Sequence, residues 1–224
     1  MRNYVAEVIG TFILVFIGTG SVVVDQVTGG DVTLVGIALV WGLVVAAMVC
    51  AIGDVSGAHI NPAVTIGLWV ARRFEFRQVP PYLASQFLGA ILASLLLSFL
   101  FPDQERLGPT LPAGPWMQSF VMEIMLTFVL MFVVLNVTVG AKEKGITAGL
   151  AIGGVSCFEV LVGGPISGAS MNPARSLGPA VVAGELQYLW LYFAGPIIGS
   201  LLAVGIAGYL RAGTPREDEG AEAE

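Results

Sequence analysis

The sequence predicts an all-α polytopic membrane protein with six transmembrane helices and two re-entrant half-helices, arranged as an inverted repeat. Three observations predict this fold class. Hydrophobic residues make up 56% of the chain and charged residues only 12%, with a mean hydropathy of +0.85, well above the usual composition of a soluble domain. Six apolar runs are each long enough to cross a bilayer. A polar twelve-residue segment occurs twice among them.

The apolar runs lie at positions 4–24, 34–52, 80–101, 116–139, 146–163 and 187–210. Each is close to the about 20 residues that a helix needs to span the hydrocarbon core. The first run contains Glu7 and has no short apolar core followed by a cleavage site, so we expect it to remain as the first helix. We expect residues 1–210 to form a single transmembrane domain, with halves at about 1–101 and 116–210. The polar, acidic segment 211–224 is expected to be a disordered cytoplasmic tail.

Basic residues cluster in the segments that an even number of spans places on one side of the membrane. These residues are Arg2, Arg72, Arg73, Arg77, Lys142, Lys144, Arg211 and Arg216. Because cytoplasmic loops carry the excess of Lys and Arg, we expect both termini on the cytoplasmic side of the cell (plasma or inner) membrane. The opposite loops, 25–33 and 102–115, carry Asp25, Asp31, Asp103 and Glu105 against a lone Arg106. Arg175 is the one basic residue that lies in neither set of segments.

Three landmarks recur in the same order in the two halves of the chain. AEVIGTFILVFIGTG (6–20) resembles MEIMLTFVLMFVVLN (122–136), SGAHINPAVTIG (56–67) resembles SGASMNPARSLG (167–178), and FLGAILAS (87–94) resembles FAGPIIGS (193–200). Because each half holds three spans, the second half must enter the membrane from the opposite face, so the repeats are inverted. Inverted repeats place a transport site near the bilayer midplane, commonly between broken helices.

The Asn-Pro-Ala segments of the duplicated motif predict the broken helices. Asn is a favoured N-cap and Pro a favoured first helical residue, so helices should begin at Asn61-Pro62-Ala63 and Asn172-Pro173-Ala174 and cover about 62–71 and 173–183. Each is roughly half a span in length. Two half-helices from opposite faces would meet at their N-termini, where the positive dipole ends oppose cations. If each Asn oxygen caps its own helix, both amide NH2 groups are left to donate into a lumen.

Several ionisable side chains fall inside the apolar segments. An intramembrane Arg costs about 2.5–3.5 kcal/mol on insertion scales and usually lines a polar path, which favours a pore role for Arg175. Glu7 and Glu123 hold equivalent repeat positions, so we expect them to support the two re-entrant loops by accepting backbone hydrogen bonds, rather than to relay protons. Glu159 has no counterpart in the first half, and it could brace the second loop or touch the lumen. His59 could be a pH sensor, but packing beside the pore, with its carbonyl lining the path, is favoured.

The two Asn-Pro-Ala boxes, the paired Glu7 and Glu123, and Arg175 after the second box resemble the aquaporin (major intrinsic protein) family over about positions 4–210. The resemblance implies a right-handed bundle of six helices and two half-helices, a pore in every subunit, and a homotetramer embedded in membrane lipid. It also implies a selectivity filter on the extracellular side, formed by Trp41, Val160, Ala169 and Arg175.

Val160 and Ala169 are small and apolar where water-selective members have a His and a second bulky contribution. This filter resembles that of the nodulin-type intrinsic proteins and their bacterial relatives, as does the run GPISGASMNPARSLGPA. The resemblance implies a passive channel for water, glycerol and neutral metalloid hydroxides such as arsenous or boric acid, which excludes protons and ions. The chain departs from the glycerol-facilitator branch, which has Asp and Lys where Ser176 and Ala180 stand here.

Two other functional classes compete with a passive channel. An ion-coupled secondary transporter also uses inverted repeats and buried carboxylates, and its rate would depend on an ion gradient. An intramembrane enzyme is not supported, because the chain shows no Ser-His-Asp order, no paired aspartates and no metal-ligand spacing such as HExxH. No cofactor, bound metal or nucleic acid partner is expected.

Overall fold

The computed structural model describes residues 1–104, 106–138 and 144–212, and of residues 144–146 it describes the backbone only. Predictions for Glu105, Lys142, the Lys144 side chain and the tail from 213 onward, including Arg216, lie outside this part. Within it the chain forms eight α-helices and a 3-10 turn, with no β-strand. Six of the helices described are long and apolar enough to cross a membrane. The predicted fold class, with six spans and two shorter helices, is confirmed.

The helices in chain order are α1 Arg2–Val27, α2 Thr33–Ser56, α3 Pro62–Val70, α4 Val79–Leu100, α5 Trp116–Val137, α6 Lys144–Ser167, α7 Pro173–Ala183 and α8 Leu191–Arg211. A 3-10 turn at Phe76–Gln78 leads into α4. The short helices α3 and α7 begin at the prolines of the two Asn-Pro-Ala boxes, as predicted from the capping residues.

Three predicted helix boundaries were wrong by four residues. Helix α2 continues past position 52 to Ser56. Helix α6 continues past Gly163 and Gly164 to Ser167, with Pro165 inside it, because neighbouring elements in a membrane bundle can satisfy the backbone groups that Pro leaves free. Helix α8 begins at Leu191 rather than at 187. The residues before it form tight turns, in which the Leu189 N–H donates to the Leu186 carbonyl at 3.1 Å.

The two halves use the same packing and then interlock. In the first half α1 packs against α2 and α4, in the second α5 packs against α6 and α8, and α2 packs against α6 across the halves. Each short helix makes its largest contact with a long helix of the other half, α3 with α8 and α7 with α4. This exchange brings the N-termini of α3 and α7 together in the middle of the bundle.

Glycines on α4 and α8 permit the close packing inside each half. A Cβ atom added at Gly89 would lie 2.4 Å from the Val8 carbonyl oxygen of α1, and one at Gly199 would lie 2.2 Å from the Ile124 carbonyl oxygen of α5. Both glycines belong to the duplicated landmark at 87–94 and 193–200. Small residues of this kind let helix backbones approach each other in membranes, where apolar burial gives no driving force between helices.

Candidate functional site

Asn61 and Asn172 cap the two short helices with similar geometry. Both have extended backbones, with φ of −155° and −145°. The Asn61 side-chain oxygen accepts from the Ala63 N–H at 2.9 Å, and the Asn172 oxygen accepts from the N–H groups of Ala174 at 3.0 Å and Arg175 at 3.3 Å. Each cap satisfies donors that a helix N-terminus leaves without partners.

The amide nitrogens of the same two residues join the loops of the two halves. Asn61 Nδ2 donates to the Met171 carbonyl at 2.8 Å, and Asn172 Nδ2 donates to the Ile60 carbonyl at 2.9 Å. The expectation that both NH2 groups are wholly free to donate into a lumen therefore needs correction. One hydrogen of each group is used between the loops, and one remains.

The loops before the short helices have an unusual backbone. Ala58 and Ile60 in the first loop have φ of 46° and 42°, and Ala169 and Met171 in the second have φ of 43° and 54°. A residue with a Cβ atom rarely adopts this left-handed region, and such strain persists only where the surroundings enforce it. The same alternation in both loops turns successive backbone N–H groups towards one side.

Glu7 and Glu123 receive those N–H groups. Glu7 Oε1 accepts from the His59 N–H at 2.9 Å and Oε2 from the Ile60 N–H at 2.7 Å. Glu123 Oε1 accepts from the Ser170 N–H at 2.8 Å and Oε2 from the Met171 N–H at 2.7 Å. The hydroxyls of Ser56 and Ser167, the first residues of the duplicated motif, donate to the same carboxylates at 2.8 Å and 2.7 Å. Both carboxylates are fully buried.

A cavity of about 120 Å³ lies beside the meeting point of the loops. Its walls are mainly apolar and come from both halves. Many of the lining residues form pairs related by the internal repeat: Leu14 and Leu130, Trp41 and Ile152, Val45 and Ser156, Val49 and Val160, Ala58 and Ala169, His59 and Ser170, Ile60 and Met171, and Asn61 and Asn172. The cavity therefore follows the pseudo-twofold relation between the halves.

The four predicted filter residues lie close together. Trp41, Val160 and Ala169 line the cavity, and the Arg175 guanidinium carbon lies 5.0 Å from the centre of the Trp41 ring. Arg175 is buried, with 3% of its surface exposed. Its Nη1 donates to the Gly108 carbonyl at 3.0 Å, whereas its Nε has no hydrogen-bond partner among the residues described.

His59 has a defined environment that the sequence did not reveal. Its Nδ1 lies 3.1 Å from the Thr65 hydroxyl, and its ring contacts those of Phe74 and Tyr82, with centroids 4.6 Å and 5.0 Å away. Gln86 donates both to Thr65 at 2.9 Å and to Glu7 at 2.7 Å. His59 thus lines the cavity while its ring belongs to the network that holds the first loop.

Two tyrosines donate hydrogen bonds to the last residues of α2 and α6, the long helices before the two loops. They were not identified from the sequence. Tyr82 donates to the Ser56 carbonyl at 2.9 Å, and Tyr192 donates to the Ser167 carbonyl at 2.7 Å. Tyr192 stands at the repeat position of Gln86 rather than of Tyr82, so alignment of the halves does not reveal their common contact. The sequence feature that the two contacts share is the repeated serine, Ser56 or Ser167, whose carbonyl accepts the hydrogen bond.

Most of the chain matches known proteins of one family. The family model described as Major intrinsic protein matches residues 1–206. The chain is 48% identical to Aquaporin NIP1-1 of Oryza sativa subsp. japonica over 202 residues, covering 90% of this chain and 71% of that protein. It is 44% identical to Nodulin-26 of Glycine max over 212 residues, covering 94% and 78%.

A solved structure agrees with these matches. The X-ray structure of the aquaglyceroporin from Plasmodium falciparum superposes with a TM-score of 0.82 at 25% identity, covering 92% of this chain and 94% of that one. The chain therefore belongs to the major intrinsic protein family and is a passive membrane channel for water and small solutes, not an enzyme.

Proposed function

We propose that the cavity beside Asn61 and Asn172 is part of the conducting path, and that it passes water, glycerol and neutral metalloid hydroxides such as arsenous or boric acid. The observation that carries this proposal is the filter itself. Val160 and Ala169 are small and line the cavity together with Trp41, and Arg175 lies against the Trp41 ring. A wall of this kind offers one hydrogen-bonding corner and otherwise apolar surface, which suits a solute with one polar and one apolar face.

Exclusion of protons and ions is proposed from the ends of α3 and α7. Both helices direct their N-termini towards the middle of the bundle, where the partial positive charge of each dipole opposes a cation. The remaining amide hydrogen of each Asn can donate to a passing oxygen, and a water molecule held by two such donors cannot itself accept a further proton from its neighbours along the file. Arg175 adds a full positive charge near the filter.

An ion-coupled transporter that uses the symmetric carboxylates Glu7 and Glu123 is less well supported by their contacts. Coupling to protons or cations would need carboxylates that are free to bind and release them. Glu7 and Glu123 instead accept two backbone N–H groups and a serine hydroxyl each. Their proposed role is to hold the strained loops in place.

The orientation and assembly of the chain are proposed from its charges and its relatives. Arg73 donates to the Leu135 carbonyl at 2.8 Å, and Arg211 donates to the Asn136 side chain at 3.0 Å, so these basic residues meet at the end of α5. We propose that this end faces the cytoplasm of the cell membrane, together with both termini. A homotetramer is proposed from family membership, and the large apolar side chains exposed on α2 and α6, such as Leu43 and Val162, leave apolar surface for it.

Stopped-flow measurements on liposomes that contain the purified protein test the proposal. Imposed gradients of sucrose, glycerol, boric acid and arsenous acid are compared in parallel with protein-free liposomes. We expect accelerated water flux and accelerated entry of the three neutral solutes, at rates that do not change when a proton or sodium gradient is imposed. Solute entry that requires such a gradient would favour the transporter, and water flux alone would restrict the proposal to water.

A further inference from the structure

Glu159 on α6 is a buried carboxyl group that the contacts of the two loops do not use. Only 1% of its surface is exposed. Neither of its oxygens has a hydrogen-bond partner among the residues described, although the backbone of Leu130 faces it without reaching hydrogen-bond geometry. Buried polar groups in folded proteins are nearly always paired, because withdrawing them from water is otherwise costly. The carboxyl therefore calls for a partner other than the chain itself.

Glu159 does not itself line the cavity, but residues next to it do. Ser156 and Val160 on the same helix line the cavity, and so does Leu130 of α5. At about 100° per residue, Glu159 projects roughly 60° around the helix axis from Ser156 and about 100° from Val160. Because the Leu130 backbone lies close to it, the carboxyl group is on the side of α6 that faces α5. A Glu side chain has three rotatable bonds, so a change of rotamer can turn the carboxyl towards the cavity.

The internal repeat allows Glu159 to be compared with the residue at the equivalent position of the first half. Trp41, Val45 and Val49 of α2 match Ile152, Ser156 and Val160 of α6, and all six line the cavity. The same register places Met48 opposite Glu159 in the two halves. Met48 is partly buried and packs against the apolar core. Because an apolar side chain of similar length fills the equivalent place, packing does not account for the carboxyl.

The surroundings of Glu159 favour a neutral solute with hydroxyl groups as its partner. Arg175, on the filter, can only donate hydrogen bonds, whereas a carboxyl can accept them and, when protonated, also donate one. The charged group that acts on Glu159 is the Glu123 carboxylate. Glu123 already accepts hydrogen bonds from the backbone of the second loop. A solute hydroxyl both donates and accepts, so it matches a wall with a donor at one side and an acceptor at the other.

We propose that Glu159 is a specificity-determining residue for hydroxylated solutes: its carboxyl accepts a hydrogen bond from a glycerol or boric acid hydroxyl in the part of the cavity that Val160 lines. The inference rests on the proposed conduction of such solutes. On this proposal α6 provides a hydrogen-bond acceptor for the solute through Glu159. Helix α2 provides none at the equivalent position, where Met48 stands. Water, which is small enough to pass with loop carbonyls as acceptors, does not depend on it.

Two substitutions test the assignment in liposomes. Glu159→Met copies the residue of the other half, and Glu159→Gln keeps the length and an accepting oxygen. We expect Glu159→Met to lower glycerol and boric acid permeability about tenfold, the scale of one lost hydrogen bond in the rate-limiting passage, while water permeability per protein stays within about twofold. Glu159→Gln should retain most of the solute flux.

Three results would overturn the inference. Unchanged solute flux in Glu159→Met would show that no solute contacts the carboxyl. Parallel loss of water and solute flux in both variants, with lowered melting temperatures in detergent, would show a structural role instead. Absence of glycerol and boric acid flux in the unsubstituted protein would overturn both this inference and the proposed solute range, and it is distinguished from the first result because the control itself is inactive.

Discussion

Replacing Glu7 by Leu should remove the acceptor that holds the first re-entrant loop. The two carboxylate oxygens accept from the backbone N–H groups of His59 and Ile60, at 2.9 Å and 2.7 Å, and from the side chains of Ser56 and Gln86. Leu fills a comparable volume but accepts nothing. Both backbone N–H groups would then stay buried without a partner, in a loop that already contains left-handed Ala58 and Ile60.

The size of the effect can be worked out from these contacts. A buried donor left without a partner costs about 1–3 kcal/mol, so two backbone N–H groups cost about 2–6 kcal/mol in unfolding free energy. Glu7→Gln should lose about half of this, because its oxygen still accepts at one side while its NH2 group faces donors at the other. For a chain of this size, 1 kcal/mol corresponds to about 2–4 °C in melting temperature, so Glu7→Leu should melt about 4–24 °C lower.

Thermal unfolding in detergent, followed by tryptophan fluorescence, is the direct assay. Glu75→Leu is the control, because Glu75 is an exposed glutamate in the loop before α4 and its side chain does not cap the 3-10 turn there. The expected order of melting temperatures is unsubstituted protein close to Glu75→Leu, then Glu7→Gln, then Glu7→Leu. A Glu7→Leu protein that melts with the control and keeps its water permeability would refute loop support by this carboxylate.

Two further substitutions probe the helix packing and the filter. Gly199→Ala would place a Cβ atom against the Ile124 carbonyl oxygen and should destabilise the chain by about 1–3 kcal/mol or more. Gly205→Ala, on the same helix with nothing within 4 Å, is the control and should not lower the melting temperature, since Ala is the better helix former. Val160→His combined with Ala169→Cys should narrow the cavity beside Trp41 and reduce glycerol flux at least tenfold while sparing water. Equal losses of glycerol and water flux in that double variant, measured by stopped-flow light scattering, would contradict the filter assignment.

Much of the fold could be predicted from local features of the sequence. Apolar runs of spanning length identified the six long helices, because a membrane demands them irrespective of tertiary contacts. Capping chemistry located the starts of α3 and α7 at Pro62 and Pro173, since an Asn-Pro pair satisfies the requirements of a helix N-terminus locally. The end of α6 could not be found in this way, because the tolerance of Pro165 depends on neighbouring helices.

The internal repeat of the sequence made one part of the site predictable, namely the support of the two loops by buried carboxylates. Glu7 and Glu123 stand at equivalent repeat positions, and the two loops whose N–H groups they accept are the duplicated motif. The hydrogen bond from Asn61 to the Met171 carbonyl was not predictable, because it joins residues far apart in the chain. Likewise, the partners of His59 come from Thr65 and from the aromatic rings of two other segments, whose proximity only the folded backbone creates.

The central claim is that two opposed half-helices form a path that conducts water and rejects protons. The most direct measurement loads one liposome preparation with a pH-sensitive dye and follows water efflux and proton entry in the same sample, under an osmotic and then a pH gradient. We expect water permeability well above that of protein-free liposomes, with proton permeability equal to theirs. Proton entry that rises in proportion to the amount of reconstituted protein, as water flux does, would contradict the claim.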